Sequence, residues 1–107
     1  MSEIHKGRLL MLAEKIEDPE QTPSFNMASF SDGCGTPHCV AGWAIHFWGN
    51  LKEADKSFDY IDPAMNILGL CEGQARPLFG GEFSRRPLNH ITRAETAAEL
   101  RRLAALA

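Results

Sequence analysis

Four side chains able to bind a metal or act on a substrate fall between positions 34 and 46: Cys34, His38, Cys39 and His46. His5, Cys71 and His90 lie elsewhere in the chain. Zinc takes four Cys or His donors in a tetrahedron, with Zn–S bonds of about 2.3 Å. Cys39 and His46 are seven residues apart, which on a helix rising 1.5 Å per residue is about 10.5 Å, so one ion cannot hold both. Cys34, His38 and Cys39 are therefore the candidate zinc ligands, three donors needing a fourth from a distance. Two facts stand against them: there is no Cys-x-x-Cys pair, and a free cysteine usually serves as a small buried hydrophobe.

Thiol chemistry is the second reading of the same residues. If a helix begins near Pro37, Cys39 sits in its first turn, where the helix dipole lowers a thiol pKa. A nucleophilic cysteine also needs a base within hydrogen-bond reach. His38 is adjacent and points about 100° away, and His46 is two turns off, leaving only the distant His5 and His90. Buried packing outweighs catalysis for Cys39, and no catalytic residue is assigned. A Cys34–Cys39 disulfide is sterically conceivable but would not persist in a reducing cytoplasm. Gly33 and Gly35, flanking Cys34 ahead of a helix, resemble an anion nest. With no following Lys and no preceding strand, neither a phosphate loop nor a dinucleotide fingerprint applies, and a structural turn is the better account.

The elements that would position these residues read as helices throughout. Residues 3–17 carry an apolar stripe of Ile4, Leu9, Leu12, Ala13 and Ile16, broadened by Leu10 and Met11, and Asp18-Pro19 stops it. Residues 20–35 are mostly irregular, with Phe25, Met27 and Phe30 expected to pin the connection inward. Thr36 as cap and Pro37 at the first position then open an intensely apolar helix at about residues 37–48. Its apolar groups go all the way round, the mark of a buried helix, and it is far too short to span a bilayer. Gly42 within it allows a neighbouring helix to approach closely. Gly49-Asn50 is expected to supply a left-handed stop. A surface turn of helix at 51–58 follows, then a helix from Pro63 to Leu68 capped by Asp62 and closed by Gly69-Leu70. Cys71 and Gln74 form a capping box for a helix to about Phe79, deformed by Pro77. Thr92 and Glu95 form another for a last helix at roughly 93–106. The fold class is all-α: residues 1–107 form one single-domain bundle of four or five helices, the first and last packed across a buried central helix.

Totals narrow the functional classes. The 44% hydrophobic and 23% charged content excludes a disordered chain. The N-terminus has no apolar run after a basic start, so no signal peptide or membrane partner is expected. An odd count of three cysteines fits a cytoplasmic location. Residues 1–70 hold 10 acidic and 5 basic side chains, and residues 71–107 hold 4 and 6, giving −5 and +2. A nucleic-acid binder would use Arg76, Arg85, Arg86, Arg93, Arg101 and Arg102, but such domains are usually far more basic. Arg85 and Arg86, in a loop bounded by Gly and Pro beside Phe83, are the best candidates for meeting an acidic or phosphate-bearing partner, against the commoner case of solvated loop arginines. One tryptophan should reach the surface, because two large rings on one short helix are hard to bury in a small domain. Trp48 joins Phe83, Arg85 and Arg86 as a candidate partner-binding residue.

Several runs together carry a family resemblance: Phe25-Asn-Met27, Cys34-Gly-Thr-x-x-Cys39-Val-Ala-Gly-Trp43, Leu68-Gly-Leu70, Leu78-Phe79 and Thr92-x-x-x-x-Ala97-Ala98. They resemble a family of small, largely uncharacterised proteins of bacteria and their phages, over about residues 25–104. Cys71 and Pro77 depart from its pattern, where a hydroxyl cap and an uninterrupted helix are expected. The resemblance implies a cytoplasmic, phage- or prophage-linked setting and supplies no activity. The leading expectation is a small non-enzymatic binding or regulatory protein acting on another protein, for example as an inhibitor of a host system. A zinc or thiol site at Cys34, His38 and Cys39, and nucleic-acid binding through the C-terminal arginines, are the alternatives. No other cofactor is expected.

Overall fold

The computed structural model describes residues 3–27, 39–57 and 59–106. These residues hold six α-helices and no strand: α1 (Glu3–Glu17), α2 (Val40–Trp48), α3 (Leu51–Ser57), α4 (Ile61–Leu68), α5 (Glu72–Phe79) and α6 (Arg93–Ala105), with a 3-10 turn at Leu88–His90 before α6. The chain is an all-α, single-domain helical bundle. Where four or five helices were expected there are six, because residues 51–57 form a helix of their own. Asn50 starts it: its side-chain oxygen accepts the Glu53 N–H at 3.2 Å, and Leu51 and Ala54 turn inward.

The core collects Leu9, Leu12, Ala13 and Ile16 of α1, Val40 to Ile45 of α2, Leu68 of α4, Leu78 of α5 and Leu100 and Leu103 of α6. The first and last helices pack mainly on each other, and α2 packs mainly on α4. This differs from the expected arrangement, in which both end helices lay across α2. Two further expectations need correcting. Helix α2 begins at Val40, and its N-cap is Cys39 in an extended conformation; Thr36 and Pro37 lie outside the described residues, as does Phe30. Ile4, Leu10 and Met11, assigned inward from the sequence, are exposed at 68%, 42% and 48%.

The joints follow side-chain chemistry. Glu95 and Thr92 reciprocate at the head of α6, with Glu95 N–H donating to Thr92 Oγ1 at 3.1 Å and Thr92 N–H to Glu95 Oε1 at 3.3 Å. Cys71 N–H donates to Gln74 Oε1 at 3.2 Å at the head of α5. Gly69 ends α4 in the left-handed region, φ 67°, and the next amide, that of buried Leu70, closes on Met65 O at 3.0 Å. Gly49 is not left-handed; its φ is −136°. A Cβ there would lie 3.2 Å from the backbone oxygen of Ile45, a tight contact, and 2.9 Å from Ile67 Cδ1, the movable end of an α4 side chain. Helix α4 starts at Ile61 rather than Pro63, and Asp59 rather than Asp62 supplies a side-chain acceptor, for the Asp62 N–H at 3.4 Å. Pro63 still falls in the first turn, where no intrahelical N–H bond is lost.

Candidate functional site

Helix α2 changes character along its length. Val40 to Ile45 are buried, His46 is exposed, and Phe47 and Trp48 are half-buried. The rings form a continuous cluster. Trp43 stacks on Phe47 at 5.6 Å between centroids, His46 sets its edge against both, and Phe47 meets Trp48 at 5.8 Å. Two cations from α1 lie over this cluster: the Arg8 guanidinium 6.0 Å from the Trp48 ring centroid and the Lys15 ammonium 4.6 Å from that of Phe47. Such contacts contribute about 0.5–1 kcal/mol each at exposed positions.

The α1 stripe that carries these cations is regular. At 100° per residue, Ile4, Arg8, Met11 and Lys15 fall within about 60° of arc, beside the buried face of the helix. Arg8 is anchored by its Nη1–H bond to Ile67 O of α4 at 2.9 Å, and Lys15 by a bond to Gln21 Oε1 at 3.0 Å. Both acceptors are neutral. Among the described residues neither cation has a carboxylate partner within ion-pair distance. Glu17 of α1 lies on the other side and pairs with Arg101 of α6 at 2.5 Å. The Arg101 hydrogen bond holds the Glu17 carboxyl below its usual range. The result is a surface of apolar groups and of two cations that lack a carboxylate partner among the described residues.

Sequence reasoning named Trp48 as a partner-binding candidate and did not name Arg8, Met11, Lys15 or Phe47. The available signal was the i, i+4, i+7, i+11 spacing of Ile4, Arg8, Met11 and Lys15, which separates from the core stripe only once Ile4 and Met11 are known to be exposed. The other candidates, Phe83, Arg85 and Arg86, share one loop. Phe83 is half-buried against the core. Arg86 pairs with Glu95 at 2.9 Å, and Ser84 also donates to that carboxylate, at 2.8 Å. The Ser84 hydroxyl is the main cause of a lowered Glu95 pKa. Arg85 is exposed and has no ion pair among the described residues. Beside α4 and α5 an open groove of about 620 Å³ is lined by Ile61, Met65 and Phe79, with Asp62 and the Glu72–Arg76 pair at its edge.

Cys34 and His38 lie outside the described residues, and no group of three metal-binding side chains occurs among the described ones. Cys39 is buried at the N-cap of α2, not in its first turn, and burial pushes its thiol from 9.0 up to about 11. The amides of Gly42 and Ala41 pull the other way and do not prevail. A proton held this firmly makes a poor nucleophile at neutral pH. It also links stability to alkali. The folded chain keeps a proton that the unfolded chain sheds, so this contribution is present in full below pH 9 and disappears as pH rises to about 11. The expected loss is on the order of 2 kcal/mol. Urea unfolding of wild type and Cys39→Ala across that range tests this: wild type should lose stability more steeply, and parallel curves would refute a buried neutral thiol.

No protein-family model matches the chain, and neither does any curated protein or any solved structure.

Proposed function

We propose that this chain is a small non-enzymatic binding or regulatory protein acting through protein–protein contact, with the α1–α2 surface around Trp48 as its contact face. The observation that carries the reading is the half-exposed Phe47–Trp48 pair overlaid by Arg8 and Lys15, which share their α1 stripe with the exposed Met11 and Ile4. Aromatic, Met and Arg side chains are enriched where proteins meet. The loop with Phe83, Arg85 and Arg86 is a second contact candidate on the same reading. The Cys34–Trp43 run, with its likeness to small bacterial and phage proteins, favours a cytoplasmic, phage- or prophage-linked setting, in which an inhibitor of a host system is one form of such a protein. No helix among the described residues is long and apolar enough to cross a membrane.

Nucleic-acid binding draws less support from the C-terminal arginines. Arg76, Arg86, Arg101 and Arg102 pair with Glu72, Glu95, Glu17 and Glu99, and Arg93 is bonded to backbone and Thr22. The chain as a whole is −3. The test is affinity capture from a bacterial lysate with wild type and Trp48→Ala side by side, with helicity and melting followed by circular dichroism. Trp48→Ala should keep its helicity and lose the captured protein. Identical capture by the two would remove the surface from consideration.

A further inference from the structure

We infer that the α1–α2 surface is built for an acidic, amphipathic helical segment of another protein; this rests on the contact face proposed above. Among the described residues Lys15 and Arg8 donate to neutral acceptors and lie over ring faces, with no carboxylate at ion-pair distance, so their positive charge is open to a partner's acid. The acids nearest the stripe carry partners of their own, Asp18 through the same Gln21 that Lys15 bonds. Glu17 is paired with Arg101, Glu14 acts on the same arginine, and Asp18 is bound by the Glu20 amide at 2.9 Å and by Gln21. A carboxylate-bearing partner meets attraction at Arg8 and Lys15.

Spacing narrows the partner further. Arg8 and Lys15 are seven residues apart on one face, about 10.5 Å along the axis. A helix laid alongside α1 matches them with carboxylates at positions i and i+7. Its residue at i+3 or i+4 then falls over Met11, which is 48% exposed, and reaches the Phe47–Trp48 edge. Helices recognised in this way present anchors at i, i+3 or i+4, and i+7. The ring faces argue against a single-stranded nucleic acid. Base stacking needs free aromatic faces, and here Arg8 covers Trp48 and Lys15 covers Phe47.

The experiment is selection from a display library of helix-constrained peptides randomised along one face. The selected peptides are then titrated against wild type, Arg8→Glu/Lys15→Glu and Trp48→Ala. Peptides with acidic residues two turns apart and an apolar residue between them should be enriched, and the charge reversal should weaken them at least tenfold. If Arg8→Glu unfolds the chain by losing Ile67 O, Lys15→Glu alone gives the same reading, since its hydrogen bond is only to exposed Gln21. Enriched peptides that ignore the charge reversal but are lost in Trp48→Ala would overturn the acidic partner and leave the contact face standing. No enrichment, or peptides indifferent to every variant, would overturn both. So would a fifteen-residue oligothymidylate that binds at low salt, is lost on charge reversal and is not displaced by any peptide.

Discussion

Replacing Arg93 by alanine is expected to lower unfolding free energy by about 3 kcal/mol, more than any other charged residue in the chain. Its guanidinium stands at the first residue of α6, the end of its own helix where a cation is unfavourable. What it reaches is the C-terminal end of α1, where a cation is favoured. Nη1 donates to Ile16 O at 3.0 Å and to Thr22 Oγ1 at 2.6 Å, and Nη2 donates to Thr22 O at 2.7 Å. The Phe25 ring lies 5.5 Å from its centre. Thr22 is fully buried, and its hydroxyl passes the connection on by donating to Lys15 O at 2.9 Å. One side chain therefore ties the start of α6, the end of α1 and the turn after it. Truncation strips three charge-assisted bonds and leaves only weaker donors behind, the Phe25 N–H on Thr22 O at 3.2 Å and the Thr22 hydroxyl on Ile16 O at 3.5 Å. Lysine keeps the charge but cannot span the fork, so Arg93→Lys should recover less than half of the loss. Urea midpoints at unchanged m-value measure this. A cost under about 1 kcal/mol for Arg93→Ala would show that the tie is not structural.

Arg93 also marks where sequence reading stops. Among the six C-terminal arginines nothing local distinguishes it, because its partners lie 71 and 77 residues away. Thr22, fully buried and bonded to both Arg93 and α1, drew no notice in the sequence for the same reason. What was legible depends on chemistry closed within four residues: the Thr92–Glu95 and Cys71–Gln74 boxes, and the left-handed stop at Gly69-Leu70. Gly49 was misread because a glycine signals two different needs, a positive φ or a close neighbour. The neighbours here are the Ile45 backbone oxygen and, 18 positions on, the end of the Ile67 side chain. Helix α1 was located correctly, but not which of its apolar residues lie inward. With Ile4, Leu9, Leu10, Met11, Leu12, Ala13 and Ile16 spread over most of its circumference, periodicity alone cannot separate core from rim. That ambiguity is the reason most of the candidate surface was missed: its α1 half consists of residues that looked like core or like ordinary surface charge. Trp48 was anticipated by a volume argument, and it is the half-exposed member of the pair, with Trp43 4% exposed.

Gly69→Ala is expected to cost about 3–4 kcal/mol, and the reason is steric as much as conformational. The left-handed conformation alone costs a non-glycine residue about 1–2 kcal/mol. A Cβ at Gly69 would also lie 2.4 Å from His5 Cγ and 2.7 Å from His5 Cβ. The latter atom is fixed to the α1 backbone, so the clash is not relieved by turning a side chain; α1 itself must move against α4. Asparagine separates the two contributions, because it tolerates the left-handed region yet carries the same Cβ. Gly69→Asn should therefore remain within about 1 kcal/mol of Gly69→Ala. Gly81 is the internal control. It has a similar φ of 75°, but the Cβ would first meet Leu88 Cδ2, the far end of an exposed side chain, and then Ile91 Cδ1. Gly81→Asn should cost only about 1 kcal/mol. Equal and small effects of asparagine at both positions would mean that backbone conformation, not the α1–α4 approach, explains Gly69. The same approach sets Arg8, whose bond to Ile67 O at 2.9 Å lies two residues before Gly69. Any shift of α1 at His5 moves that guanidinium over Trp48. Gly69→Ala should thus alter Trp48 fluorescence while the chain is still folded, an effect that Gly81→Asn should not have.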